Sequence, residues 1–167
     1  MIVVSDTTPL RYLIELEAVH LLESLFGQVI IPQEVANELQ GANTPQKVKD
    51  WMRGCPAWLE VRTVDASGYV PVIEIHAGER EAIALTLELA ADGILVDDKD
   101  ARAEAQRAGL TVIPTLAILE LAARRDLIDL PAVMAQLRQT SFHISQKLYD
   151  QVIERDRLHK QKTKGTP

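Results

Sequence analysis

Short, β-branched apolar runs alternate along this chain with longer stretches of helical periodicity. These runs predict strands, and they are Met1–Val4, Val29–Ile31, Leu59–Val64, Ile94–Val96 and Leu110–Ile113. The weak alternation within Leu59–Val64 is typical of an edge strand. Strands separated by helices of this length form right-handed crossovers and a mainly parallel sheet that is covered on both faces. The pattern therefore predicts one α/β domain with helical insertions.

The helical stretches are bounded by residues that commonly start and end helices. Pro9 precedes the first stretch and Gly27 ends the second, while Ser145 is a good N-cap for the last. The predicted helices are Leu10–Leu16, Val19–Phe26, Gln33–Gln40, Gln46–Arg53, the run that starts at Gly78, Lys99–Ala108, Leu116–Arg124, Pro131–Gln139 and Gln146 to about His159. The polar tail Lys160–Pro167 is expected to be frayed.

Composition narrows the class of protein. With 167 residues, 47% hydrophobic and 25% charged, the chain has ordinary globular usage, which excludes intrinsic disorder and low-complexity classes. The net charge of −6 argues against a large basic groove that would hold nucleic acid through phosphates alone. It does not exclude nucleic acid, because bound metal ions invert the sign of an acidic site.

Cysteine usage and apolar run lengths indicate the compartment. The single cysteine, Cys55, allows no intramolecular disulfide and no Cys/His zinc site. Met1–Val4 is too short for the apolar core of a signal peptide, and no apolar run reaches the ~20 residues that cross a bilayer. We expect a cytoplasmic protein that is not inserted in a membrane.

Acidic side chains follow two of the predicted strands. Asp6 comes directly after the first strand, and Asp97 and Asp98 follow the strand at Ile94–Val96. Functional groups of open α/β sheets collect beyond the carboxyl ends of the strands. If these two strands are neighbours, their terminal carboxylates meet across one crevice.

Two helices offer further acids. Glu34 and Glu38 share one face of the helix that contains PQEVANEL, and Glu79 and Glu81 open the helix that begins GEREA. Taken singly, each acid has an ordinary interpretation as a helix cap, a first-turn acid or a solvated residue. The coincidence of four acidic segments favours a shared site.

Converging carboxylates repel one another unless a positive charge compensates them. Mg²⁺ or Mn²⁺ is the natural partner, because hard divalent cations prefer oxygen ligands. Such a site activates water and stabilises charge on a phosphoryl group, which is the chemistry of phosphodiester hydrolysis.

These segments, in this order and spacing, resemble a PIN domain, a family of metal-dependent ribonucleases that includes the VapC-type toxins. The likeness runs from Met1 to about Leu127, and the matching pieces are VSDTTPL, VIIPQEVANEL, GEREAIALTLEL, ILVDDKDAR and GLTVIPTLAIL. The resemblance implies a Rossmann-like α/β/α sandwich with a mainly parallel central sheet. Residues 1–140 would form the PIN-like nuclease domain, and residues 141–167 a C-terminal helical extension and tail packed on the same domain.

The resemblance also implies site residues. Asp6, Glu38 and Asp98 match the family's acids, whereas Glu79 and Glu81 both remain candidates for the middle acid. Asp6, Asp98 and Glu81 are candidate metal ligands, with Asp97 and Asp100 as auxiliary ones. The candidates for positioning RNA are Thr7, Arg11, Arg80, Lys99 and Arg102.

The function implied is a Mg²⁺- or Mn²⁺-dependent endoribonuclease that cleaves single-stranded RNA. It would be the toxin of a type II toxin–antitoxin pair, would bind a cognate antitoxin and would form a homodimer. Two departures concern the details: Val96 precedes the late acids where many toxins have Thr or Ser, and Ala101 stands where Phe is frequent. The alternatives are another Asp-based phosphoryl-transfer domain, such as a phosphatase or a receiver, and an inactive PIN-like binding module.

Overall fold

The structure, a computed structural model, describes residues 1 to 164. Over these residues it contains a sheet of five parallel strands. The strands are β1 (Ile2–Ser5), β2 (Gln28–Pro32), β3 (Leu59–Arg62), β4 (Gly93–Leu95) and β5 (Val112–Ile113). Each predicted strand is present, and helices flank the sheet, which confirms the predicted α/β/α sandwich.

Helices connect and follow the strands, and a 3₁₀ turn at Ala66–Gly68 follows β3. The helices are α1 (Thr7–Glu15), α2 (Leu21–Phe26), α3 (Gln33–Leu39), α4 (Gln46–Arg53), α5 (Ala77–Glu88), α6 (Lys99–Arg107), α7 (Thr115–Arg124), α8 (Leu130–Leu137) and α9 (Gln146–Lys164).

The strand order is β3-β2-β1-β4-β5, so β3 is an edge strand, as its weak alternation predicted. The chain runs outward from β1 through β2 to β3 and then crosses to β4 on the other side. The order therefore reverses between β1 and β4, and ligands of open α/β sheets bind at such a switch point. Receivers have the order 2-1-3-4-5. This sheet does not have the receiver topology.

Apolar residues from the central strands and the helices form the core beside this switch point. Val4 of β1, Ile30 of β2 and Ile94 of β4 are at most 1% exposed and pack with Ile83 and Leu85 of α5. Burial of both faces explains why these strands read as continuous apolar runs rather than alternating ones. The core thus holds α5 against the strands whose ends carry the acids.

Two helix boundaries differ from the prediction by three residues or more, and the others by at most two. The first helix begins at Thr7 rather than Leu10, because Pro9 lies in its first turn, where an amide has no intrahelical acceptor and proline is tolerated. The last helix continues to Lys164 rather than ending near His159. Lys160 and Asp156, one turn apart, form an ion pair at 2.7 Å that supports the extension. Residues 165–167 of the predicted frayed tail lie outside the described residues.

The chain divides into two compact units, one spanning Met1–Thr115 and the other starting at Leu116. The first unit contains the whole sheet and every acid that the sequence analysis proposed for the site. In the second unit, Arg155 donates to both carboxylate oxygens of Glu120, at 2.9 and 2.5 Å.

Among the described residues, no helix is both long enough and apolar enough to cross a bilayer.

Candidate active site

Asp6 and Asp98 lie at the ends of neighbouring parallel strands. The Asp6 amide donates a hydrogen bond to the Leu95 carbonyl at 2.9 Å, so the end of β1 is attached to the end of β4. Asp98 caps α6, because its Oδ1 accepts from the amides of Asp100 and Ala101 at 2.8 and 3.0 Å. This cap occupies one oxygen of the Asp98 carboxylate and leaves Oδ2 for other ligands.

Glu38 reaches the same edge of the sheet from α3. Its Oε2 accepts a hydrogen bond from the hydroxyl of Thr7, which is the first residue of α1. Its carboxyl group also lies against the backbone of Gly78 in the first turn of α5. Glu38 is thus held between the starts of two helices.

Glu79 enters from the first turn of α5. It is buried, and its Oε2 accepts a hydrogen bond from the His76 amide at 2.8 Å, which caps the helix. Sequence alone explains a first-turn acid by this capping. Burial beside other acids is the additional feature that the structure supplies.

The charges of Asp6, Glu38, Glu79 and Asp98, hereafter the acidic cluster, act on one another. Burial raises the pKa of Asp6 from 3.8 to about 7, and the charges of Glu79 and Glu38 add to this rise against the nearby amides of Thr7 and Thr8. Burial also raises the pKa of Glu79, to which the charges of Asp98 and Glu38 contribute. Both carboxylates therefore resist ionisation in the metal-free protein.

No Lys or Arg among the described residues forms an ion pair with any member of the acidic cluster. Residues 1 to 164 also contain no group of three or more His, Cys, Asp or Glu side chains already placed to hold a metal ion. The donor set nevertheless fits a hard divalent cation, because it consists of oxygen ligands whose negative charge meets no Lys or Arg of the described residues and only the partial compensation of His76 beside Glu79. Side-chain movements would have to accompany binding.

An open cleft of about 440 Å³ lies beside the acidic cluster. Glu79 and Asp98 of the cluster contribute to its lining. The remaining lining residues are Ile73, Glu74, Ile75, His76 and Asp100. The cleft thus has an acidic floor and a wall built from the segment that precedes α5.

Two of the candidate ligands point elsewhere. Glu81 accepts a hydrogen bond from the amide of Glu34 at 3.1 Å, so it caps the first turn of α3. Both oxygens of Asp97 accept from Thr115, one from the amide at 2.8 Å and the other from the hydroxyl at 2.6 Å. Burial raises the pKa of Asp97 against these hydrogen bonds. In this structure both side chains connect elements of the fold.

The basic candidates have different surroundings. Arg11 forms an ion pair with Glu15 at 2.9 Å, one helical turn away. Arg80 and Lys99 are exposed and have no ion-pair partner within residues 1 to 164. The Nε of Arg102 is buried and has no hydrogen-bond partner among the described residues, although its charge acts on Asp97.

The sequence interpretation missed Glu104 of α6, which holds the wall of the cleft. It is fully buried and accepts hydrogen bonds from the Tyr69 hydroxyl at 2.9 Å and from the amides of Val72 and Ile73 at 3.0 and 3.3 Å. The hydrogen bond from Arg107 is the largest cause that lowers its pKa to about 2. A sequence signal existed, because Glu104 lies on the helix face that carries the buried Ala101 and Ala105.

The chain matches a protein-family model and a solved structure. A family model described as a PIN domain, DUF3368, matches residues 2–157. Among curated proteins, none matches the chain. Among solved structures, a PilT N-terminus domain protein from the hyperthermophilic archaeon Sulfolobus solfataricus P2 is similar to it, with 17% identity and a TM-score of 0.49, over 87% of this chain and 100% of that one.

Proposed function

Because the chain belongs to the PIN domain family, whose members are generally nucleases, we propose that it is a divalent-metal-dependent endoribonuclease acting on single-stranded RNA. The observation that carries the proposal is the meeting of four acids at the switch point of the sheet without an ion pair to any Lys or Arg among the described residues. A purely structural cluster of this kind would be destabilising, because burial and mutual repulsion oppose the charged forms. A bound cation removes this penalty.

Asp6, Glu38, Glu79 and Asp98 would hold Mg²⁺ or Mn²⁺. When bound, the cation supplies a water of lowered pKa and stabilises negative charge that develops on the phosphoryl oxygens. Thr7 orients Glu38 through its hydroxyl, and the His76 amide orients Glu79. Asp98 keeps one oxygen for the cap of α6, and its other oxygen would bind the cation.

Two exposed cations are suited to guide an RNA strand toward the cleft. Lys99 directly follows Asp98, and Arg80 directly follows Glu79, so each is adjacent in sequence to a residue of the acidic cluster. Their exposure without an ion-pair partner in residues 1 to 164 leaves them able to contact phosphates, which contribute most of the affinity for nucleic acid. Arg102 would contribute through its charge, and Arg11 after release from Glu15.

Cleavage of an RNA pool in the presence of Mg²⁺ or Mn²⁺, with EDTA as the metal-free reference, tests the proposal. Asp6→Asn and Asp98→Asn should abolish cleavage while the proteins stay folded, because asparagine has nearly the size of aspartate and remains a good N-cap for α6 at position 98. Asp50→Asn, in an exposed acid on α4, is the matched control and should cleave like the parent. Cleavage by the two active-site variants at the parent's rate, after removal of contaminating nuclease, would contradict the assignment.

The resemblance to VapC-type toxins supports a further part of the proposal: the chain is the cytoplasmic toxin of a type II pair, is neutralised by a cognate antitoxin and acts as a homodimer. Expression in a bacterial host should then arrest growth, and Asp6→Asn should relieve the arrest. Light scattering of the purified protein measures the oligomeric state. Normal growth of a host that contains active, soluble enzyme would show that the protein acts as a nuclease but not as a toxin.

A further inference from the structure

The first turn of α5 contains a glycine whose backbone does not require one. Gly78 is the second residue of the helix and is buried. Among residues 1 to 164, the glycines with positive φ are Gly27 and Gly109 instead. Glycine in a helix is destabilising relative to alanine, because it loses more backbone freedom on folding. The backbone conformation therefore gives no reason for a glycine at this position, and the relevant feature is what surrounds Gly78.

That feature is the carboxyl group of Glu38. A Cβ atom built on Gly78 would lie 2.6 Å from Oε1 of Glu38, 3.0 Å from its Cδ and 3.2 Å from its Oε2. The three nearest atoms all belong to this one carboxyl group. The Glu38 carboxylate thus fills the place where any other residue would carry its side chain.

Glu38 has little freedom to withdraw from this contact while keeping its partners. The hydroxyl of Thr7 donates to its Oε2, on the side of α1. The two helices that form the contact are also tied together, since Glu81 of α5 accepts from the Glu34 amide of α3 at 3.1 Å. An added methyl group would displace the flexible end of Glu38 rather than either helix.

We propose that Gly78 is a positioning residue of the acidic cluster, which acts by leaving room for Glu38 beside Glu79. The methyl group of alanine would push the Glu38 carboxylate away from Thr7 and out of the cluster. The inference rests on the proposed metal-dependent function for its metal-binding readout, but not for its stability readout. The expected signature is a variant that is folded, no less stable than the parent, and impaired in metal binding.

The primary experiment measures Mn²⁺ affinity by calorimetry, and urea unfolding, for Gly78→Ala and for the matched control Gly68→Ala. Gly68 is suitable because a Cβ built there meets nothing within 4 Å. Gly78→Ala should lose about 10–100-fold in Mn²⁺ affinity, the range typical of residues that orient metal ligands. Gly68→Ala should bind Mn²⁺ like the parent. Unchanged Mn²⁺ affinity in Gly78→Ala would overturn the proposal.

A double-mutant cycle with Glu38→Ala identifies the route of the effect. If Gly78 acts through Glu38, Gly78→Ala should lower Mn²⁺ affinity in the parent but change nothing further once Glu38 is already alanine. An equal loss in both backgrounds would overturn the proposal, because Gly78 would then act without Glu38.

Unfolding data decide the inference even if the protein binds no metal. Gly78→Ala should raise the urea midpoint more in the Glu38→Ala background than in the parent. In that background the added methyl group no longer meets the carboxyl group of residue 38. The same comparison applies if Gly78→Ala is poorly folded, because the double variant should then recover stability. Absence of this coupling would overturn the positioning role. If Gly78 and Glu38 are coupled in stability but the parent neither binds Mn²⁺ nor cleaves RNA, only the proposed function is rejected.

Discussion

The hydroxyl of Tyr69 donates a hydrogen bond to the buried carboxylate of Glu104 at 2.9 Å, across 35 positions of sequence. The same carboxylate accepts from the amides of Val72 and Ile73, so α6 holds the segment that forms the wall of the cleft. Burial, followed by this hydrogen bond, raises the pKa of Tyr69 to about 12, so the hydroxyl stays a donor at neutral pH. An acid outside the cluster thus shapes the cleft.

Glu104→Leu should loosen the wall of the cleft. Replacing Glu104 removes the acceptor for the Tyr69 hydroxyl and for two backbone amides. Tyr69→Phe removes one hydrogen bond to this ionised carboxylate, worth about 1.5–3 kcal/mol. We expect Glu104→Leu to destabilise the protein more than Tyr69→Phe does, and to speed hydrogen exchange at Val72 and Ile73. Urea unfolding and exchange mass spectrometry measure both effects. Gln106→Leu, an exposed neighbour on α6, is the control, and equal exchange in it and in Glu104→Leu would refute the anchoring role.

In the metal-free protein, the ionisation of Asp6 should lower the free energy of unfolding as the pH rises from about 4 to about 7. The folded-state pKa of Asp6 is about 7 against 3.8 in the unfolded chain, so the folded state binds more protons across this window and stability falls with increasing pH. Since one pKa unit corresponds to about 1.4 kcal/mol, Asp6→Asn should be more stable than the parent by up to roughly 4 kcal/mol at pH 7. Below pH 4 the difference should vanish.

Urea unfolding at several pH values in EDTA measures this difference. Addition of Mg²⁺ or Mn²⁺ should stabilise the parent at pH 7 but leave Asp6→Asn nearly unchanged, because only the parent regains a partner for its charge. A stability difference between parent and variant that does not vary with pH between 4 and 7 would show that the Asp6 carboxyl ionises normally.

The strand ends were predictable from the sequence, whereas the direction of each side chain was not. Apolar runs followed by acids identified Asp6 and Asp98, because the carboxyl ends of parallel strands share one edge of the sheet. Asp97 and Asp98 are adjacent, however, and only the contact with Thr115 reveals that Asp97 turns away from the cluster. That contact joins residues 18 positions apart, which no local pattern reports.

Glu79 and Glu81 illustrate the same limit within one helix. Two positions on a helix point to widely separated directions, but sequence does not say which direction faces the sheet edge. The answer depends on how α5 packs on α3, where Glu81 meets the Glu34 amide. Glu104 had a visible signal, an acid among core-facing alanines, yet its partners are backbone amides that have no sequence signature.

Glu79 and Glu81 should therefore differ when each is substituted. Glu79→Gln keeps an oxygen for the His76 amide but removes a charge from the acidic cluster, so Mn²⁺ affinity should fall with little change in stability. Glu81→Ala removes the cap of α3, so the free energy of unfolding should fall by about 1 kcal/mol while Mn²⁺ affinity is retained. Calorimetry and urea unfolding of both variants measure the two effects. If Glu81→Ala instead loses Mn²⁺ affinity and Glu79→Gln instead loses stability, Glu81 would be the metal ligand and Glu79 the structural residue.

Asp97 should prove structural rather than metal-binding. Asp97→Ala leaves the buried Thr115 without an acceptor for its amide and hydroxyl, which should cost about 1–3 kcal/mol of stability. Thr115→Val removes only the hydroxyl donor, so its cost should be smaller, and it should add little in the Asp97→Ala background because the two residues share one interaction. Urea unfolding of the three variants measures this coupling, and calorimetry with Mn²⁺ provides the second readout.

Since both oxygens of Asp97 are engaged by Thr115, Mn²⁺ affinity should stay within about twofold of the parent's, a difference of only ~0.4 kcal/mol. A loss comparable to that of Asp98→Asn would place Asp97 among the metal ligands instead.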